Sequence, residues 1–259
     1  MKIMLAAPEL HPDDLSSNQS QMLATLEQAA REGADLLLFG EASLPGFDAL
    51  SFDYAEDIRK VLSLHSPEIA VMQEAACHHA VAVGFGFYEN LQGGIYSSYL
   101  VLDQQGKVAD LYRRVSPGWK EARACADYRE GLSFHSFSLS GKKYSGRKFA
   151  TLICGDLWED KLLSAICALD AEVDAFFWPV HVDIAVKDWE ENNTNYSAAD
   201  NISCSAYAHQ SSLLAKPVLF INNYLSEPGR AKGGLYHWEK GRAVAHKPMG
   251  RPVFLLTEI

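Results

Sequence analysis

Two positions in this 259-residue chain set a reactive side chain beside a rigid support. Cys154 ends the apolar run Phe149-Ala150-Thr151-Leu152-Ile153 and is followed by Gly155-Asp156-Leu157-Trp158. A thiol at the tip of a buried strand is placed for nucleophilic attack. Glycine next to it permits a sharp bend, and its bare N–H can face an oxyanion. The competing reading is a buried structural cysteine, a common fate for that residue type. Glu41 follows a second apolar run, Leu36-Leu37-Leu38-Phe39-Gly40. Partial burial of a carboxylate raises its pKa and makes it a usable general base near neutral pH. Its competing reading is a solvent-facing loop carboxylate.

Other reactive residues make weaker sets. His181 sits just past the apolar run Phe177-Trp178-Pro179-Val180 and offers a Cys–His design as an alternative base. His209 falls in a helical stretch and reads as a partly buried helix residue. His78 and His79 are adjacent, so they point in different directions and make a poor metal pair. Gly84-Phe85-Gly86-Phe87 lacks the third glycine of a dinucleotide loop and reads as close packing inside a strand. Trp119, Trp158 and Trp178 are either aromatic pocket walls or ordinary core.

The elements that hold these residues follow from hydrophobic periodicity. Buried or half-buried strands are expected at residues 2–7, 34–39, 80–87, 97–103, 108–113, 134–139, 149–154, 174–179 and 218–222. Helices are expected at 18–33, 68–78, from about 160 onward, and at 199–215. Gln104-Gln105-Gly106-Lys107 reads as a hairpin turn, and 115–131 as a long irregular stretch. Residues 183–194 read as a polar loop with one helical turn, and 233–259 as two or three closing strands. Strands alternating with helices, then hairpins, give a layered α/β protein with a mixed sheet. No composition break marks a linker, so a single domain over 1–259 is expected.

Composition narrows the function classes. Hydrophobic residues make up 48% and charged residues 22%, as in ordinary globular proteins. The net charge of −10 opposes a phosphate backbone, so no nucleic-acid partner is expected. The one basic cluster, Gly141-Lys142-Lys143-Tyr144-Ser145-Gly146-Arg147-Lys148, reads as a solvated turn between strands. No apolar run reaches membrane-span length, so no membrane partner is expected. The first eight residues turn polar too soon for a signal peptide. Five scattered cysteines without a Cys-x-x-Cys pair suit reduced thiols and a cytoplasmic location. Asn192-Asn193-Thr194 then carries no meaning as a glycosylation triplet.

Taken in order, three motifs give the chain a family resemblance. Residues 33–47, centred on Gly40-Glu41-Ala42-Ser43-Leu44-Pro45-Gly46, look like the glutamate motif of the nitrilase superfamily of carbon–nitrogen hydrolases. Ile95-Tyr96-Ser97-Ser98 followed by Tyr112-Arg113 resembles the hairpin before that family's lysine motif, and Leu152-Ile153-Cys154-Gly155-Asp156-Leu157-Trp158-Glu159 resembles its cysteine motif. The resemblance implies a four-layer α-β-β-α sandwich with mixed sheets and a Glu–Lys–Cys site. It implies a small-molecule amide or carbamoyl substrate, no cofactor and no metal, and a homodimer or larger homo-oligomer.

The chain departs from the family pattern at three places. Arg114 follows Tyr112-Arg113 where the family has lysine, and the next lysine is Lys120 in Pro117-Gly118-Trp119-Lys120-Glu121. Either Arg114 takes the role or the loop presents Lys120. An anchoring Trp119 favours Lys120, although an arginine keeps the charge in a planar fork. Glu121 resembles the family's second, substrate-positioning glutamate. Gly40 replaces a usual proline, and Gly155 stands where a larger side chain is frequent. With Cys154 as nucleophile, Glu41 as base, Lys120 or Arg114 as cation and the Gly155 N–H as oxyanion donor, the expected reaction is amide hydrolysis through a thioester. The alternatives are a Cys–His hydrolase and a non-catalytic nitrilase-like small-molecule binding protein in which the lysine position has lapsed to arginine.

Overall fold

In the computed structural model, which describes residues 1–144, 146–190 and 203–259, the elements run in the order β1 (Lys2–Ala7), α1 (Leu15–Arg31), β2 (Leu36–Leu38), α2 (Tyr54–Asp57), α3 (Pro67–His79), β3 (Ala82–Leu91), β4 (Gly94–Leu102), β5 (Val108–Arg113), β6 (Phe149–Thr151), α4 (Asp160–Asp170), β7 (Ala175–Val180), α5 (Val186–Glu190), α6 (Cys204–Ser212), β8 (Val218–Asn222), β9 (Gly233–Glu239), β10 (Arg242–Met249) and β11 (Val253–Glu258). Short 3-10 turns at Phe47–Ala49, Lys142–Tyr144 and Cys154–Trp158 interrupt the loops.

The strands form two mixed sheets. One has the order β11-β1-β2-β3-β4-β5 and the other β10-β9-β8-β7-β6. Within the first, β1, β2 and β3 are parallel, while β4, β5 and β11 join by antiparallel pairing. In the second, β6, β7 and β8 are parallel and β9 and β10 close antiparallel.

Strand side chains alternate between faces, and this alternation builds the layers. Ile3, Leu5 and Ala7 of β1 share one core with Leu36 and Leu38 of β2 and with Ala175 and Phe177 of β7, so that core lies between the sheets. Met4, Ala6, Leu37 and Phe39 face the opposite way, into a core with Met22 and Leu26 of α1 and Ile69 and Met72 of α3. Phe176, Trp178 and Val180 of β7 pack outward on Ile166 of α4 and Tyr207 of α6. Helices therefore cover the outer face of each sheet, and the architecture is an α-β-β-α sandwich.

Helix ends follow local chemistry. Asp14 caps α1 by accepting from the Ser17 N–H, and Pro67 opens α3 where its missing N–H costs nothing.

Two expected features come out differently. Residues 134–139 do not form a strand: Phe137 makes one bridge to Phe149 before the chain turns away at Gly141, and Phe137 and Leu139 serve as plugs in the inter-sheet core. The basic turn is anchored rather than merely solvated. Tyr144 is fully buried with its hydroxyl on Asp35 O, and Lys143 pairs with Asp35. The glycosylation-like triplet 192–194, and parts of the expected polar loop (191–194) and final helix (199–202), lie outside the described residues. Among the described residues no helix is long and apolar enough to cross a membrane.

Candidate active site

The carboxyl ends of β2, β6, β7 and β8 and the end of β5 converge between the two sheets, the usual place for a ligand in an α/β fold. Each strand delivers one or two residues there.

Glu41 leaves β2 and is completely buried. Its Oε1 accepts from Arg114 Nη1 at 2.8 Å and from Ser97 Oγ at 3.3 Å. Its Oε2 is buried without a partner. The carboxylate's backbone is equally fixed, because Asn223, just past β8, donates from Nδ2 to Glu41 O at 2.6 Å. Gly86 on β3 runs so close behind it that a Cβ there would lie 2.1 Å from Ala42 N. The Gly84–Gly86 pattern is thus a packing device, as expected: Gly84 makes room for the Leu38 and Tyr99 side chains, and Gly86 for the Glu41 turn.

Gly40 has the same kind of reason. A Cβ at that position would lie 2.2 Å from Asn223 Oδ1, so the absence of a side chain makes room for the residue that holds Glu41.

Cys154 starts a 3-10 turn three residues beyond β6, not at the strand tip itself. The sharp bend falls on Cys154, at φ 43°, and not on Gly155. A left-handed conformation is costly for a residue with a Cβ, and it persists where surrounding contacts enforce it. Those contacts are visible. Trp178 Nε1 on β7 donates to Cys154 O at 2.9 Å. Asp156, fully buried, accepts from Ile153 N at 2.8 Å, from Tyr112 Oη at 2.6 Å, and from Val115 N and Ser116 N at 3.1 and 2.7 Å. One carboxylate therefore ties the cysteine turn to the segment that carries Arg114.

The thiol donates to His181 O at a long 3.8 Å and lies within reach of the Glu41 charge. Burial pushes the thiol up to about 12; the Glu41 charge adds to this and Arg114 opposes it. Cys154 as a residue retains some solvent-accessible surface, but desolvation governs its sulphur.

Arg114 continues from β5 and is also buried. Its N–H still bonds Ser97 O, and its Nε donates to Ser116 Oγ at 2.8 Å. Burial works against its charge, but Glu41, Cys154 and Asp156 hold the guanidinium protonated above its ordinary range. Lys120, the residue favoured from sequence, has other partners. Its Nζ donates to Tyr128 O at 2.7 Å and pairs with Glu130 at 2.6 Å. Trp119 does anchor that loop, packed against Tyr88 and Tyr128, but it holds Lys120 and Glu121 along a cleft of about 290 Å³ with Phe47, Leu50 and Phe52. Glu121 pairs there with Arg123 at 2.6 Å.

His181 reaches the same rim but shows Cys154 its carbonyl. Its ring stacks on Phe47 at 4.4 Å, with Nδ1 at 3.2 Å from Asn223 Nδ2 and Nε2 at 3.2 Å from Asp183. His209 is exposed on α6. Trp158 and Trp178 belong to the core beneath α4 and α6, and of the three tryptophans considered Trp119 lines the cleft.

Sequence reasoning missed Ser97, Ser116, Asp156, Trp178 as a clamp, and Asn223. Ser97 and Asp156 lay within the quoted motifs, whereas nothing local marked Ser116 or Asn223.

Residues 5–208 match the family model described as carbon-nitrogen hydrolase. The chain belongs to the carbon–nitrogen hydrolase family. Curated relatives of this chain include an arylacetonitrilase of Aspergillus niger, 25% identical over 64% of this chain and 51% of that protein. Another is a formamidase of Pseudomonas syringae pv. tomato, 33% identical over 44% of this chain and 33% of that protein. The chain spans about half the length, or less, of these relatives. Among solved structures, an amidase from Nesterenkonia sp. superposes with a TM-score of 0.75 over 100% of this chain and 90% of that one, at 17% identity. That similarity concerns the fold, a nitrilase-type sandwich.

Proposed function

We propose that this carbon–nitrogen hydrolase cleaves the C–N bond of a small amide or carbamoyl compound through a thioester on Cys154. Glu41 is the proton shuttle and Arg114, rather than Lys120, is the cation. The observation that carries this reading is the buried Glu41 carboxylate, with one oxygen on Arg114 and the other unpartnered beside the thiol.

A thiol raised to about 12 rests protonated at neutral pH. Glu41 therefore takes the proton as sulphur attacks, instead of meeting a preformed thiolate. The S–C bond forms and the carbonyl electron pair moves to oxygen. Arg114 and the Gly155 N–H stabilise that oxyanion. Collapse breaks the C–N bond as Glu41 returns the proton to nitrogen, and ammonia or an amine leaves. Water then gives a proton to Glu41 and attacks the thioester. The C–S bond breaks and the sulphur regains its proton. Lys120 and Glu121, along the neighbouring cleft, contact the part of the substrate remote from the scissile bond.

Supporting a small amide substrate, a double mutant of the Nesterenkonia amidase, whose fold this chain shares, has been solved in complex with acrylamide. The Cys–His alternative is disfavoured because the His181 ring is engaged with Phe47, Asn223 and Asp183. A screen of ammonia release from small amides, nitriles and carbamoyl compounds tests the proposal. Turnover that vanishes in Cys154→Ala supports it. Turnover that persists in that variant defeats the mechanism.

A further inference from the structure

Glycine at position 155 is not demanded by its own backbone. The positive φ of this turn belongs to Cys154, and Gly155 is absent from the glycines with positive φ. What it supplies is space. A Cβ built on Gly155 would lie 2.4 Å from Arg114 Nη2, 3.4 Å from Arg114 Cζ and 3.0 Å from Ser116 Oγ. The first distance is below any real Cβ contact. It involves a guanidinium that cannot swing aside, because its Nη1 is bonded to Glu41 and its Nε to Ser116 Oγ. Ser116 Oγ is itself held, since the Ser116 N–H is fixed by Asp156 and the residue is buried.

An arginine carries a longer, planar head than a lysine. A lysine here has no atom at the Nη2 position, so a side chain at 155 would meet nothing there. With arginine, the volume above Cys154 is shared between the guanidinium and residue 155.

Resting on the proposed hydrolytic site, we infer that Gly155 and Ser116 are positioning residues for Arg114. Gly155 vacates the volume that the guanidinium occupies, and Ser116 pins Nε so that Nη1 meets Glu41 and Nη2 lies over the cysteine turn. Arginine at this position is thus a cation held by two neighbours, one that leaves it room and one that pins it.

A double-mutant cycle with Gly155→Ala, Arg114→Lys and the pair tests this. It is read by the pH dependence of iodoacetamide adduct formation on the Cys154 peptide and by hydrolysis of whichever amide the native protein turns over. In the native background Gly155→Ala displaces the guanidinium. The alkylation profile moves upward by about one pH unit, because a neighbouring cation favours the thiolate. Hydrolysis falls by about 10², the loss expected for one oxyanion donor. In the Arg114→Lys background the same methyl leaves the alkylation profile within experimental error. An equal shift in both backgrounds, or no shift in the native background, overturns the inference.

If Gly155→Ala does not fold, Ser116→Ala decides, since it adds no volume. An upward shift that is absent once Arg114 is lysine supports the inference, and no shift overturns it. Alkylation needs no substrate, so a protein that releases no ammonia sinks the proposed function while the cycle still judges this one.

Discussion

Two cation–carboxylate pairs whose cations are close in sequence, Arg114–Glu41 and Lys120–Glu130, behave differently. Arg114–Glu41 lies between the sheets, with side-chain exposures of 3% and 0%. Lys120–Glu130 lies in the loop beyond, at 22% and 27%. In the first pair neither charge has water to fall back on, so the partner and the hydrogen bonds around it set its energy. In the second, partial exposure lets solvent screen part of the attraction, and exposed pairs contribute about 0–1 kcal/mol. Distance from the motif in sequence does not decide which cation works at the thiol. In the proposed mechanism the deciding property is the dry environment that Arg114 shares with the thiol, where each charge acts at far lower dielectric.

The comparison can be broken from the reactive end first. Cys154→Ala is expected to abolish turnover while leaving a folded protein, checked by circular dichroism beside the activity screen. The largest effect on stability belongs to Arg114. Arg114→Met strands a buried carboxylate and should cost about 3–5 kcal/mol in urea unfolding at neutral pH. It should also lower the rate by about 10² to 10³. Adding Glu41→Gln to that variant removes the stranded charge and should recover most of the stability but none of the activity. A double variant no more stable than Arg114→Met would mean that the pair is not the buried unit described.

Glu41→Gln alone is expected to lower the rate by about 10² to 10⁴. It should also shift alkylation of Cys154 in a defined direction. The Glu41 charge raises the thiol pKa and Arg114 lowers it, so removing the carboxylate brings thiolate formation to lower pH. His181→Ala on the same substrate should cost much less rate. If it costs more, the histidine is the base. The smallest effect is that of Lys120→Ala, below about 1 kcal/mol in stability and weaker on rate than Arg114→Met.

Much of this arrangement is legible in the sequence. The runs at β1, β7 and β8 are largely apolar because those strands are buried, whereas β5 alternates between buried and more exposed positions, and all four have limits that fall within a residue or two. Glu41 and Cys154 stand out because a polar residue directly after such a run sits where the sheet ends. The limits of this reading are physical too. The span 134–139 has strand-like residues but makes one bridge, since pairing depends on a neighbour far away in sequence. The choice between Arg114 and Lys120 depends on where the irregular stretch 115–131 folds, which no local period encodes. Asn223 reaches Glu41 across 182 positions, and Gly40 makes sense only once Asn223 is in place. Gly155 suggested a bend at itself, whereas the bend is on Cys154 and the glycine answers to Arg114.

The central claim is that Arg114 is the cation facing the thiol, and alkylation of Cys154 across alkaline pH tests it most directly. Because Cys77, Cys125 and Cys167 are exposed, the adduct must be quantified on the Cys154 peptide by mass spectrometry. The native thiol, pushed up to about 12, should react slowly at neutral pH and faster as pH rises. Arg114→Met should move that rise to still higher pH, and Lys120→Ala should leave it in place. A profile that moves with Lys120→Ala and ignores Arg114→Met would contradict the account.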